Sequence, residues 1–284
     1  MPTLPLLGHT LHFSDTGAPS VPSGAPVVAL HSGGLSSRQW GKLSALLAPR
    51  HRVLAPDFLG CGASSPWVEA PGAPAYHFSI EVDLISALLD TLGGPLHLVG
   101  HSFGGLIAVK AALRNPERVL SLSVFEPVTL GLLLGAGGDD SAAFVAEMTA
   151  LREPTGEPGG EEWLRRFIDW WQGAGTWDSL PPPARSQFLA VGRKVYLEVT
   201  SLSTDRMTAG ALLLLRMPAL VMRSERSPRA ERRVCELLAQ ALPRGTLRQL
   251  DGVGHLAPVT HAAQVNELIA AHIESAEPQH AEQL

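Results

Sequence analysis

Six short apolar runs punctuate the chain: PVVALH (26–31), HRVLAP (51–56), PLHLVG (95–100), VLSLSVFEP (119–127), PALVMRS (218–224) and TLRQLDG (246–252). Each has the length of a strand, and several contain almost no polar position, the pattern of strands covered on both faces. The opening LPLLGHTLHFSDTG predicts a hairpin ahead of them, which brings the strands to eight. Between the runs, apolar positions switch to helical spacing. Ile80, Leu84, Leu88 and Leu92 share one face, with Glu81 and Asp83 near an N-terminus that favours negative charge. Phe103, Leu106, Ile107 and Ala111 form a second stripe, stopped by Asn115 and Pro116. Val234, Leu237, Leu238 and Ala241 form a third, and Val265, Leu268, Ile269 and His272 a fourth. Strands alternating with helices predict an α/β fold: a mostly parallel sheet flanked by helices.

The rhythm breaks between 130 and 215. This interval opens on LGAGGDD, passes through REPTGEPGGEE and PPP, and otherwise has helical spacing. It predicts a helical insertion over the sheet, leaving 1–129 and 216–284 as the core. Four of the six tryptophans lie in it: Trp163, Trp170, Trp171 and Trp177. With Phe167, the first three fall at helical spacing, for which core packing is the ordinary explanation and a pocket wall the alternative. Residues 275–284 form a polar tail expected to fray.

Composition narrows the function classes. A chain of 284 residues can bury a sizeable core as one α/β domain with an insertion. No uninterrupted apolar stretch reaches the about 18 residues of a membrane span; the longest candidate, ALLLLRMPALVM, is broken by Arg216 and Pro218. The first basic residue is Arg38, so a secretory signal's positive start is missing and the cytoplasm is the expected compartment. A net charge of -5 without any Lys or Arg run argues against a nucleic-acid partner. Cys61 and Cys235 allow one bridge at most, and a reduced pair, one in a turn and one on a helix, is expected. No metal-ligand spacing stands out, and neither metal nor cofactor is expected.

The candidate chemistry sits in LVGHSFGGL (98–106). Gly-x-Ser-x-Gly is common by itself, but here it follows the strand PLHLV and opens the helix FGGLIAVKAAL, the setting a nucleophile elbow requires. Gly100 and Gly104 remove side chains from a sharp turn and lift the Ser102 hydroxyl clear, above amides that favour developing negative charge. A serine needs a base, and His255 lies in the loop GVGHLAP after the last strand, able to fold back over the elbow. His101, beside Ser102, and His31, at a strand end, read as structural.

Four stretches in order carry a resemblance: ALHSGGLSSRQW, APDFLGCGASS, GHSFGG and DGVGHLAP. Together they resemble the α/β-hydrolase superfamily nearly end to end. The resemblance implies the α/β-hydrolase fold, with an eight-stranded, mostly parallel sheet and a helical cap, and a serine hydrolase activity. It implies an oxyanion hole made by the amide of Phe103 and one from HSGG, Gly33 first and Gly34 as the alternative; Ser32 stands where many members have glycine. Leu35 and Gly34 are candidate substrate contacts, and Asp57 reads as a turn-stabilising carboxylate.

The acid departs from the pattern. Against P-x-L-v-x-x-G-x-x-D-P, the stretch PALVMRSERSP places Ser224 at the usual glycine and Ser227 at the usual acid. Glu126, ending SLSVFEP, is the better candidate: some members, certain haloalkane dehalogenases among them, take their acid from this strand end, and Ser102, Glu126, His255 keeps the order nucleophile, acid, base. Glu225 is its rival, Asp251 lies too near the last strand, and an incomplete triad is the third possibility. The expected reaction is hydrolysis of a small-molecule carboxylic ester through an acyl-enzyme. Carbon–carbon bond hydrolysis, lactone opening and cofactor-free peroxidation are alternatives on the same site; serine at the elbow argues against dehalogenases and epoxide hydrolases, whose elbows carry aspartate. A catalytically silent ligand-binding scaffold is the reading from another class.

Overall fold

The alternation of apolar runs and helical stripes becomes alternating strands and helices in a computed structural model, which describes residues 2–18, 24–69, 71–72, 75–153 and 156–277. The hairpin is β1 (Thr3–Leu6) and β2 (His9–Asp15). The apolar runs become β3 (Val27–Leu30), β4 (Val53–Pro56), β5 (Leu96–His101), β6 (Val119–Phe125), β7 (Ala219–Ser224) and β8 (Gly245–Leu250). All eight join one sheet in the order β1-β2-β4-β3-β5-β6-β7-β8. β2 runs antiparallel to β1 and β4, and every neighbouring pair from β4 to β8 is parallel.

Helices α1 (Gly41–Leu47), α2 (Ser79–Leu92) and α3 (Phe103–Arg114) follow β3, β4 and β5. Between β6 and β7 come α4 (Leu130–Ala136), α5 (Gly138–Arg152), α6 (Glu161–Gln172), α7 (Thr176–Ser179), α8 (Pro182–Leu202) and α9 (Ala209–Leu212). α10 (Arg229–Ala241) follows β7, and α11 (Ala257–Thr260) and α12 (Ala262–Ala276) follow β8.

The pleat explains why the runs are continuously apolar. Val28, Leu30, Leu54, Leu98, Val124 and Val221 face the core shared with α2, α3 and α10. Their alternating neighbours Val27, Ala29, Val53, Val99, Phe125, Leu220 and Met222 face the core shared with α1 and α12. With successive side chains on opposite faces, both layers stay dry only if nearly every position is apolar; among the polar exceptions, His97 and Ser121 bond each other between β5 and β6.

Glu81 lies in the first turn of α2, where it was expected, and is fully buried. One expectation is corrected. The tail does not fray from 275: α12 continues to Ala276, and Glu277 Oε1 accepts the Ala25 N–H at 2.9 Å and meets His97 Nε2 at 3.0 Å. The rest of that tail, 278–284, lies outside the described residues.

The insertion divides in two. α4, α5 and α9 pack beside α10, and Leu130, Leu132 and Leu133 belong to the main core. α6, α7 and α8 instead build a small core of their own around Trp163, Leu164, Ile168, Trp177 and Val195. No helix among the described residues is long and apolar enough to cross a membrane. Cys61 and Cys235 are buried and free.

The winding also locates a crevice. From β3 the chain moves to β4 on one side and then to β5 on the other. Ligands of open α/β sheets bind outside the carboxyl ends of strands at such a switch point. Here those ends carry the 31–36 loop and Ser102.

Candidate active site

Ser102 follows β5 with φ 54° and ψ -119°, a backbone conformation that costs a non-glycine residue about 1–3 kcal/mol. The surroundings enforce it. A β-carbon at residue 100 would lie 2.5 Å from the Gly104 carbonyl oxygen, and one at residue 104 would lie 2.3 Å from that of His31. Both contacts are with backbone that cannot step aside. Gly104→Ala is therefore expected to destabilise the fold by about 2–4 kcal/mol, read as a lowered urea midpoint.

Across the cavity, Ser102 Oγ stands 3.0 Å from His255 Nε2. The other ring nitrogen, Nδ1, meets Glu126 Oε2 at 2.6 Å. Next to a carboxylate, Nδ1 carries the proton, which leaves Nε2 to accept from the serine hydroxyl. All three side chains are buried.

Glu126 reaches His255 from the end of β6. β6 and β7 pair in register, Phe125 opposite Met222, and the Glu126 N–H donates to the Met222 carbonyl at 2.9 Å. One strand over from the usual acid, the longer side chain still reaches His255. The two unexpected serines hold it there: Ser224 donates its N–H and hydroxyl to Glu126 Oε1 at 2.5 and 2.6 Å, and Ser227 Oγ lies 3.0 Å from Ser224 Oγ. Burial alone would raise the Glu126 carboxyl, but His255 and the serine donors outweigh it and hold it below the ordinary carboxylate value. Glu225 is exposed and accepts the Gly252 N–H at 2.8 Å. Asp251 is also exposed and is bonded to Gln249.

Burial first and the Glu126 charge second push Glu231 well above the ordinary carboxylate value. A raised folded pKa means that the stability Glu231 contributes is full below about pH 4.5, the ordinary value, and is lost as pH rises through the folded value. Glu231→Gln removes that loss. Urea midpoints of variant and wild type are expected to coincide near pH 4 and to separate in favour of the variant as pH rises.

The loop after β3 forms another wall of the cavity. Gly33, Leu35, Ser102 and Phe103 line one cavity with His255, and a β-carbon at residue 33 would lie 3.7 Å from the Phe103 β-carbon. Gly34 departs from expectation: it does not line the cavity but lies under α8, where a β-carbon would meet Val195 at 3.0 Å. Its φ of 74° independently calls for glycine.

His31 Nδ1 donates to the Ser32 carbonyl at 2.7 Å, and Nε2 accepts from the Phe58 N–H at 3.0 Å. Burial lowers its pKa to about 4, so the ring stays neutral and pins the loop. Asp57 accepts from the N–H groups of Ser37 and Ala63 and from His12 Nδ1 at 2.6, 2.9 and 2.6 Å. It ties three segments together, a structural role. His101 Nε2 donates to the His255 carbonyl at 2.9 Å; burial, then the neighbouring His255, lowers its pKa well below the ordinary value.

Side chains from the helices between β6 and β7 complete the walls, and the tryptophans there split between two tasks. Trp163 and Trp177 fill the small core, whereas Trp171 lies on the His255 ring, centroids 3.8 Å apart and planes at 20°. Phe167 and Trp171 line the cavity. Helical spacing places these residues on one turn after another but does not say which face meets the sheet.

A second group escaped the sequence altogether. Lys194 and Glu198, one turn apart on α8, pair at 2.7 Å, and Lys194 Nζ also donates to Glu81 and Tyr76, each at 3.1 Å. This ion cluster is what buries Glu81. Although burial opposes the ammonium, the two carboxylates hold Lys194 above its ordinary value. The available signal was an i,i+4 Lys–Glu pair beside the apolar positions 191, 195 and 199, which an exposed helix would show equally.

Elsewhere, at the amino end of β5, His51, His97 and Glu277 bring ligand atoms within 4.8 Å of one another, a grouping that spacing did not reveal. His51 Nδ1 donates to the Ala25 carbonyl and His97 Nδ1 bonds Ser121 Oγ, each at 2.8 Å, so the rings serve hydrogen bonds between segments.

Comparison with known proteins bears on the family and the fold. Lipase LipV of Mycobacterium tuberculosis is 39% identical over 118 residues, which cover 41% of this chain and 41% of the lipase. The 2-hydroxymuconate semialdehyde hydrolase of Pseudomonas sp. (strain CF600) is 36% identical over 135 residues, 44% of each chain. The match thus spans under half the length of these relatives. The enol-lactonase of Burkholderia xenovorans LB400 shares the fold at 20% identity, with a TM-score of 0.70 over 96% of this chain and 100% of its own. With strands, elbow and histidine loop in the expected order, and with residues 27–268 matching the family as a whole, the chain belongs to the alpha/beta hydrolase family.

Proposed function

We propose that the chain is a serine hydrolase of small-molecule carboxylic esters, with Ser102 as nucleophile, His255 as base and Glu126 as acid. The observation that carries this reading is the continuous relay from Ser102 Oγ through His255, at 3.0 and 2.6 Å, to a buried carboxylate. As Ser102 attacks the substrate carbonyl, His255 takes its proton, and Glu126 holds the imidazole in the right tautomer and stabilises the imidazolium. The amides of Phe103 and Gly33 receive the developing oxyanion. His255 then protonates the leaving alcohol and activates the water that releases the acid. The apolar walls, Leu35, Phe167 and Trp171 among them, suit an apolar substrate portion.

The test is labelling with a fluorophosphonate, followed by a panel of p-nitrophenyl esters of varied acyl length. Rapid modification of Ser102 and turnover of a subset of esters are expected; an unlabelled, folded protein would point to a silent scaffold. A second reading draws on the 2-hydroxymuconate semialdehyde hydrolase and the enol-lactonase: the same nucleophile would open a lactone or cleave a carbon–carbon bond. Labelling of Ser102 without turnover of any ester would favour it.

A further inference from the structure

Glu198 stands in the same cavity as Ser102, yet no step above uses it. It is 2% exposed and lines the cavity with Ser102 and Phe103. Its Oε1 accepts from Lys194 Nζ at 2.7 Å, whereas Oε2 is buried without a hydrogen-bond partner. That oxygen lies against the oxyanion loop: a β-carbon at residue 33 would be 2.5 Å from it. One ammonium faces two carboxyl groups in the cluster, Glu81 and Glu198. Burial, against the pull of Lys194, holds Glu198 above the ordinary carboxylate value. A buried acceptor without a donor is unfavourable, and Phe103, Val195 and Val199 on the neighbouring wall have no polar side-chain atom to offer.

Resting on the ester-hydrolase reading, the geometry points to Glu198 as a specificity residue: Oε2 accepts a hydrogen bond from a hydroxyl or amino group on the acyl chain, close to the reacting carbonyl. The acyl side follows from the mechanism. The leaving group must face His255, which protonates it, whereas Glu198 adjoins Gly33 and Phe103. An acyl chain that lacks the donor leaves Oε2 buried and unpaired, the condition under which a site rejects an analogue missing one polar group.

The test compares kcat/KM for p-nitrophenyl butyrate, 3-hydroxybutyrate and 3-aminobutyrate in wild type, E198Q and E198L. Wild type is expected to favour a donor-bearing ester over butyrate by about tenfold or more, and E198L to bring that ratio to about one. E198Q, which keeps an accepting oxygen but no charge, retains more of a hydroxyl preference than of an amino preference. Equal kcat/KM for the three esters in wild type, or a ratio that survives E198L, overturns the proposal.

Calorimetric binding of 3-hydroxybutyramide and butyramide to S102A and S102A/E198L reads the same preference without turnover. A hydroxyamide that S102A binds no more tightly than the plain amide also overturns it. Fluorophosphonate labelling separates the two failures. Labelled Ser102 with no donor preference removes the role of Glu198 and keeps the hydrolase; unlabelled Ser102 removes the hydrolase and leaves amide binding to decide Glu198.

Discussion

Replacing Ser102 by alanine is expected to lower kcat for an accepted ester by about 10⁵–10⁶-fold, with no labelling by fluorophosphonate. The reason is covalent. Without Oγ no acyl-enzyme forms, and what remains is the smaller acceleration due to binding and oxyanion stabilisation. Alanine differs from serine only by the oxygen lost, so the circular dichroism spectrum is expected to stay that of the wild type. His255→Ala is expected to cost about as much, and the double variant little more than either alone, because nucleophile and base act as one unit. Full activity in Ser102→Ala would refute the assignment.

Glu126→Gln is expected to lower kcat by about 10⁴-fold with little change in fold. Glutamine fills the same space, and its amide oxygen can still accept from the Ser224 N–H and hydroxyl that now bond Oε1. What changes is the group facing His255. An amide N–H there makes Nδ1 the acceptor, puts the ring proton on Nε2, and leaves Ser102 without a base. Glu225→Gln is the control: its carboxylate is exposed and takes a turn N–H from Gly252, so activity near that of the wild type is expected. The opposite pattern of losses would move the acid role to Glu225.

The parts of the site that could be read along the chain are those whose chemistry is local. Ser102 is flanked by glycines because its own turn excludes β-carbons at 100 and 104, and His255 follows the last strand within a short Gly-rich loop. Glu126 was legible one level up. Parallel strands deliver their carboxyl ends to one edge, so a carboxylate ending β6 lies beside one expected after β7. The serines at 224 and 227 looked like a lost acid, and only their contacts with Glu126 and each other reveal them as its support.

Gly34, Glu81, Trp171 and Glu198 were not legible, and for one reason. Each owes its role to contact with a segment far away in sequence: Gly34 under α8, Glu81 with Lys194, Trp171 on His255, Glu198 against residue 33. A helical period states that certain residues share a face, not what the face meets.

By itself the order of apolar and polar positions determined the layered sheet, the serine turn and the histidine loop, because pleat, helical pitch and steric exclusion by a β-carbon act over a few residues. The tertiary structure alone decided which carboxylates are buried and against what. That choice depends on desolvation and on distant hydrogen-bond partners, and it divides the buried Glu126 and Glu198 from the exposed Glu225 and Asp251.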